Sequence, residues 1–314
     1  MTFVHLVSAV GRGFAAAGVS WPSGAIVSPD IVFVACVAVS FVLLLQAAGV
    51  AIFIALWGTR LGRTRGVLAA QGRKMALAAI VAAVFSHSLE AVRLAGEWAG
   101  WTDISMQEIA WQSPAARALC ERVVALGAIA FGLCGNTTAN GVRRTLAALG
   151  ALLVPGSFFL AGHAMVSSHR FAASGLLYVH VLIVAFWFGA LWPLQRVSAE
   201  EPPPLAASII DAFSTTATWL VPVILVAGVG LAITLIPSVH VLTEPYGRLL
   251  IAKAALYGAL LGLASLNKWR LAPGIGRSEA RAAIAFRRSV VVEYALICVV
   301  LAMTAAMTTL YSPQ

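Results

Sequence analysis

The chain has 314 residues, 61% of them hydrophobic and 11% charged, with a mean hydropathy of +0.92. That is more apolar length than one soluble core can bury, which excludes an ordinary soluble domain and defines an all-α, polytopic transmembrane helical bundle in contact with membrane lipid. The net charge of +9 does not indicate nucleic acid, because the basic residues fall in short alternating loops rather than on one solvent face.

Residues 1–30 read as a periplasmic or interfacial segment. The stretch 1–21 is apolar but short and is broken by Gly11, Gly13 and Gly18. It lacks a basic n-region feeding a clean apolar core and cleavage site, so no removable signal peptide is expected. About eight stretches then reach the ~20 apolar residues a crossing needs: 31–57, 75–96, 117–135, 143–165, 173–194, 213–236, 249–267 and 288–310. Five of these make a first part, 31–198, and three make a second, 213–314. Between them lies a cytoplasmic Pro-rich linker, 199–212, in which Glu200-Glu201-Pro202-Pro203-Pro204 is expected to be extended polyproline.

Fourteen of the 21 Lys and Arg residues lie on one side of these spans, among them Arg60, Arg73, Lys74, Arg143, Lys268 and Arg288. Cytoplasmic loops carry the Lys/Arg excess, so both termini are expected on the periplasmic side of a bacterial inner membrane. Trp98, Trp101 and Trp111 near the outer boundary, and Trp57, Trp192 and Trp269 near the inner one, fit interfacial aromatic belts. The cysteines Cys36, Cys120, Cys134 and Cys298 stand singly in apolar segments without C-x-x-C spacing, which reads as buried small hydrophobes rather than a disulfide framework or zinc site.

On this topology all six histidines fall on the outer side. His5, His169 and His240 are in outer segments or loops, and His87, His163 and His180 are in the outer halves of the second, fourth and fifth spans. At 1.5 Å per residue, His163 lies a few ångström below the outer boundary, and His87 and His180 about 12 Å below it. Met106 and Met165 are also outer, and Met303 and Met307 share one face of the last span. Imidazole with thioether suits copper, above all Cu(I), while imidazole alone also accepts zinc, nickel or haem iron. Plainer uses stand beside this one: an intramembrane His bonded to a carbonyl, methionines as core filler, and His5 and His240 as solvated loop residues.

The charged groups within spans are expected to neutralise one another, since an unpaired charge in hydrocarbon costs several kcal/mol. Glu90 with Arg93, and Glu121 with Arg122, are at matching depth. Alternatively Glu90 orients His87 as a ligand. Glu293 is expected to pair with Arg287 and Arg288 just below it. Pro155-Gly156 and Pro222 interrupt the fourth and sixth spans and free carbonyls that neighbours must satisfy.

Gly162-His163-Ala164 closing one span, followed by His180 seven residues before Trp187-x-Gly189-x-Leu191, resembles the CopD family of bacterial copper-resistance membrane proteins. The resemblance continues through Phe213 to Gly230, Tyr246-Gly247-Arg248 to Lys253, Asn267-Lys268-Trp269-Arg270-Leu271 with Pro273, and Phe286-Arg287-Arg288 to Glu293. It covers about residues 150–311. Where family members often carry an Asp shortly before the second His, this chain has Leu177 and Tyr178.

The resemblance implies a copper ion, Cu(I) or Cu(II), as the bound metal, and the expected ligands are His163, His180, His87, Met165 and His169. Of these ligands the resemblance bears on His163 and His180, while His87, Met165 and His169 come from their outer placement. The resemblance also implies uptake of copper from the periplasm, for import or homeostasis, with a periplasmic carrier of CopC type as partner. No Walker-type G-x-x-x-x-G-K-[ST] stretch is present, so neither a nucleotide partner nor ATP-driven pumping is expected, and no enzyme activity. Two alternatives are a b-type haem cytochrome ligated by His87 and His180, and a copper-delivery factor for oxidase assembly.

Overall fold

The computed structural model describes residues 29–135, 141–160, 170–235 and 239–311, and every regular element there is helical. In chain order the helices are α1 (Pro29–Trp57), α2 (Arg65–Ser88), α3 (Glu90–Ala95), α4 (Ile104–Gln112), α5 (Pro114–Gly132), α6 (Gly141–Leu153), α7 (Arg170–Glu200), α8 (Pro203–Leu235), α9 (Pro245–Leu266), α10 (Ala272–Gly276) and α11 (Ala280–Leu310). Six helical stretches are long and apolar enough to cross a membrane: Pro29–Trp57, Arg65–Ala95, Phe171–Glu200, Pro203–Thr234, Pro245–Gly276 and Ala280–Leu310. The third and fourth expected spans correspond to shorter elements. Helix α5 has 19 residues and carries Arg117, Glu121 and Arg122, and α6 has 13 before Pro155-Gly156 turns the chain into a 3-10 segment, Val154–Phe158.

Helix α1 is the hub, packing on α2, α6, α7 and α11. Its crossing with α7 is made by two glycines. A Cβ on Gly49 would fall 2.9 Å from the Gly189 nitrogen and closer still to the Gly189 Cα and the Ala185 carbonyl, so only hydrogen fits. Such close backbone approach is how helices associate where lipid is as apolar as leucine. Below the crossing, Trp57 packs edge-on and tilted among Phe53, Phe186 and Phe213, with ring centroids 5.0, 6.1 and 6.0 Å away. Trp57 is therefore a core residue, 7% exposed, and not the belt residue expected; Trp269, 71% exposed, fits that role.

The expected extended polyproline linker is replaced by a short turn. Helix α7 runs to Glu200 and α8 begins at Pro203. Prolines fit the first turn of a helix because those N–H groups have no intrahelical acceptor and φ is already near the helical value. Glu201, in the turn, accepts from Gly62 N at 3.1 Å, Thr64 N at 2.9 Å and Thr64 Oγ1 at 2.7 Å, tying the α7–α8 turn to the α1–α2 loop. Helices also extend further on the basic side than hydropathy suggested, with α2 starting at Arg65 and α11 at Ala280. Charge ends an apolar run without ending a helix, since Arg, Lys and Ala are all good helix formers.

Between α3 and α5 the chain lies along one end of the bundle. Asp103 caps α4 by accepting from Ser105 N at 2.8 Å and Met106 N at 3.3 Å, and Trp98, Trp101, Ile104 and Trp111 stay exposed, as an interfacial belt requires. All four cysteines are free, and Cys120 is exposed rather than buried. Met307 and Met303 pack with Phe41 and Leu249, as core filler.

Candidate functional site

Of the predicted ligands, His163, Met165 and His169 lie outside the described residues. His87 and His180 are within them, in different helix interfaces. His87, 6% exposed on α2, sets its ring edge-on to Trp111 with centroids 4.8 Å apart, and its Nε2 is buried without a hydrogen-bond partner. A native protein rarely leaves such an atom alone. Glu90 does not orient this ring. It pairs with Arg93 at 3.3 Å, the neutralisation expected of that pair, and Arg93 also lies over the Phe33 ring. On α5, Arg122 donates from Nε to Ser157 Oγ at 3.1 Å and sits over Phe158.

His180, on α7, faces α8. Its Nδ1 is 3.3 Å from the Ile224 carbonyl, and Gly228 leaves the ring room, with a notional Cβ still 3.6 Å from His180 Cε1. A carbonyl only accepts, so Nδ1 carries the hydrogen and Nε2 keeps its lone pair, the tautomer a metal-binding imidazole needs. Lys253 is close enough for its charge to act on the ring. Helix α1 packs on both α2 and α7, and the two histidines meet different partners, Trp111 and the Ile224 carbonyl. Among the described residues no three His, Cys, Asp or Glu side chains gather within reach of one metal ion. His240 is 82% exposed and 3.6 Å from Glu244, a solvated residue as read from the sequence.

A second polar constellation was not foreseen as a site, although each of its members stands in a motif quoted above. Two turns along α7 from His180, on the same face and about 10 Å down the axis, Trp187 meets Asn267 and Glu293. Glu293, 2% exposed on α11, accepts from Asn267 Nδ2, and the Trp187 indole lies close enough to act on its carboxyl. This corrects the expected pairing with Arg287 and Arg288. Arg287 instead donates to the Ser198 carbonyl at 3.5 Å.

Asn267 is brought to this point by a π-helical turn, Asn267–Leu271, at the end of α9. Pro273 follows, and in an α-helix its ring would clash with the carbonyl four residues before it, at Trp269, so a widened turn accommodates it. The three residues border a cavity of about 220 Å³ walled by α7, α8, α9 and α11, whose other polar lining includes Ser214, Thr218, Ser265 and Lys268. Pro222 in α8 also lines it, and leaves the Thr218 carbonyl without its helical donor. Lys268 Nζ donates to Thr218 Oγ1 at 2.6 Å, and Tyr257 donates to the Val221 carbonyl at 2.7 Å.

These features define a multi-pass helical membrane protein with imidazoles set into its helix interfaces and an acid-bearing cavity among its last long helices. Residues 207–307, which supply Asn267, Lys268 and Glu293, match the family described as Copper resistance protein D. Over that stretch the chain is similar to the CopD family. A relative from Pseudomonas syringae pv. tomato, "Copper resistance protein D", is 29% identical over 198 residues, covering 57% of this chain and 64% of the relative. The chain thus spans less than two thirds of the length of that relative. No solved structure matches it.

Proposed function

We propose that this protein handles copper in a bacterial inner membrane, taking the ion as cargo from the periplasmic side for import or copper homeostasis, with a carrier of CopC type as donor. The observation that carries this reading is the family match over residues 207–307. Two features support it: the His180 ring is held in the metal-binding tautomer, and His87 Nε2 is buried without a partner. His163, Met165 and His169 complete the proposed ligand set, and imidazole with thioether favours Cu(I). In this reading the chain crosses eight times with both termini outside and the ligands belong to the periplasmic half, an orientation supported by the basic residues of the opposite loops. The protein acts by ligand exchange and not as an enzyme.

The test is copper retention by the purified full-length protein after removal of loosely bound metal with a chelator. The wild type is expected to hold stoichiometric copper, the His163→Ala/His180→Ala variant to lose it, and His87→Ala to lose part of it. Stoichiometric copper in the double variant overturns the ligand assignment, and wild type that takes zinc in preference overturns the copper reading.

A further inference from the structure

We propose that Glu293 is an exchangeable proton site, loaded and unloaded through the cavity between α7, α8, α9 and α11. Its carboxyl group is 2% exposed, deep within a helix of a membrane protein. Among the described residues no Lys, Arg or His nitrogen comes within ion-pair distance of it, while other acids of the chain do have such partners, Glu90 with Arg93 and Glu200 with Arg196. The two groups that meet Glu293, the Asn267 amide and the Trp187 indole, are neutral. Neutral donors stabilise a carboxylate without cancelling its charge, and an uncompensated charge in such a place is costly enough that a mobile cation must balance it for part of the time.

The partner chosen for Glu293 suits a proton better than a metal ion. An amide N–H already points at the carboxylate, with the Trp187 indole beside it, and an N–H repels a metal cation. A carboxamide serves both charge states: Nδ2 donates to the carboxylate, and Oδ1 accepts from the O–H of the carboxylic acid. Asn267 is 8% exposed, and its Oδ1 is buried with no partner, an acceptor unused while Glu293 is charged. A lysine or arginine in its place would hold the carboxylate permanently ionised.

The cavity supplies the route. At about 220 Å³, edged by Ser214, Thr218, Ser265 and Lys268, it has the size and polarity to hold several waters. Of the residues that line it, Lys268 is the one titratable or charged group besides Glu293, and it is occupied with Thr218 Oγ1 at 2.6 Å. The linings from α7 (Trp187, Leu191, Leu194) and α8 (Ser214, Thr218) are neutral, and Arg287 and Arg288 on α11 lie six and five residues away, on other faces. In loading, a hydronium ion in the cavity transfers its proton to a Glu293 carboxylate oxygen. A new O–H bond forms, a water is left, and the side-chain charge goes from −1 to zero. The Asn267 amide then turns so that Oδ1 accepts the new O–H, and unloading is the reverse. This exchange needs no copper and stands whether or not the outer histidines bind it.

Infrared difference spectra of the full chain in lipid nanodiscs, recorded between alkaline and acidic pH, test the proposal. The wild type is expected to gain a carboxylic-acid C=O band on acidification that shifts in D₂O. Glu293→Gln is expected to lose that band, while Glu90→Gln and Glu121→Gln keep it. Asn267→Ala and Trp187→Phe retain the acid; the first removes its hydrogen bond and the second the indole N–H beside it, so each is expected to move the band's frequency. They decide the question even if Glu293→Gln does not assemble. No such band in wild type, an undiminished band in Glu293→Gln, or an unmoved band in both Asn267→Ala and Trp187→Phe overturns the assignment.

Discussion

The bundle is held in two different ways on its two sides. In the most apolar stretch of α1, 50% of residues are buried by protein, against 17% for the α8 span and 11% for the span containing α9. On the α1–α7 side, backbones touch through Gly49 and Gly189. On the α8–α9 side, polar ties replace such packing: Tyr257 to the Val221 carbonyl, Lys268 to Thr218, Asn267 to Glu293, and His180 to the Ile224 carbonyl. Lipid competes well with apolar side chains for a helix surface, so close backbone contact and hydrogen bonds are what remain to hold helices together. Groups that must change partner belong on the side held by exchangeable bonds, and that side carries both His180 and Glu293.

The largest effect is expected at the glycine crossing. Gly189→Val forces α1 and α7 apart, because the new Cβ would overlap Gly49 backbone atoms, with the Gly49 carbonyl carbon at 2.7 Å. Overpacking of a rigid contact costs about 3 kcal/mol or more. Gly262 on α9 has no atom within 4 Å of a notional Cβ, so Gly262→Val is expected to leave stability unchanged. Thermal unfolding of the detergent-solubilised variants checks the pair. Equal losses in both would mean that the α9 face is covered by protein, and the contrast between the two sides would collapse.

A middle-sized effect is expected at Glu201, which joins the two sides through the α1–α2 loop. Burial disfavours its charge, but donors from Thr64, Arg63 and Gly62 outweigh that and hold its carboxyl below the usual carboxylate range. Glu201→Ala leaves the Gly62 and Thr64 N–H groups without this acceptor, at a cost of about 2 kcal/mol. Because the folded value is depressed, the stabilisation is complete above the unfolded glutamate value of about 4.3 and disappears as pH falls through the folded one. The stability gap between wild type and Glu201→Ala is therefore expected to be constant near neutrality and to narrow in acid. A gap that widens in acid would contradict it.

Helix existence was legible in the sequence because ~20 apolar residues have few alternatives in a bilayer. Lateral arrangement was not. Helix α1 is apolar all round, so nothing in it distinguishes the face that carries Gly49 from the faces open to lipid. Trp57 and Trp269 stand at comparable ends of their helices, yet one is core and the other exposed, a difference decided by Phe186 and Phe213 from other helices. Depth placed His87 and His180 at one level, and depth says nothing of the different helix interfaces in which they lie. For Glu293 the nearest charges in sequence, Arg287 and Arg288, were the natural choice, but six and five residues are not helical neighbours, and its hydrogen-bond partner, Asn267, comes from the π turn. Trp187, Asn267 and Glu293 were all in view as parts of motifs, and only the fold shows that they meet.

The smallest effect is expected at His240, and it sharpens the division between imidazoles that are held and those that are merely present. His240 sits in the 3-10 segment Val239–Thr243 with its side chain 82% exposed, and its contact with Glu244 at 3.6 Å joins two solvated groups. Exposed ion pairs contribute little, because water screens them and both side chains lose freedom in forming them. His240→Ala is therefore expected to leave the unfolding temperature and the copper content unchanged, measured beside His180→Ala in one preparation series. His180 differs in that its ring is fixed by the Ile224 carbonyl and enclosed between α7 and α8, so its loss removes a positioned lone pair rather than a mobile one. Copper loss in His240→Ala as large as in His180→Ala would mean that the ion is held at the outer rim of the α8–α9 side, and positioning by Ile224 would then have no bearing on where copper binds.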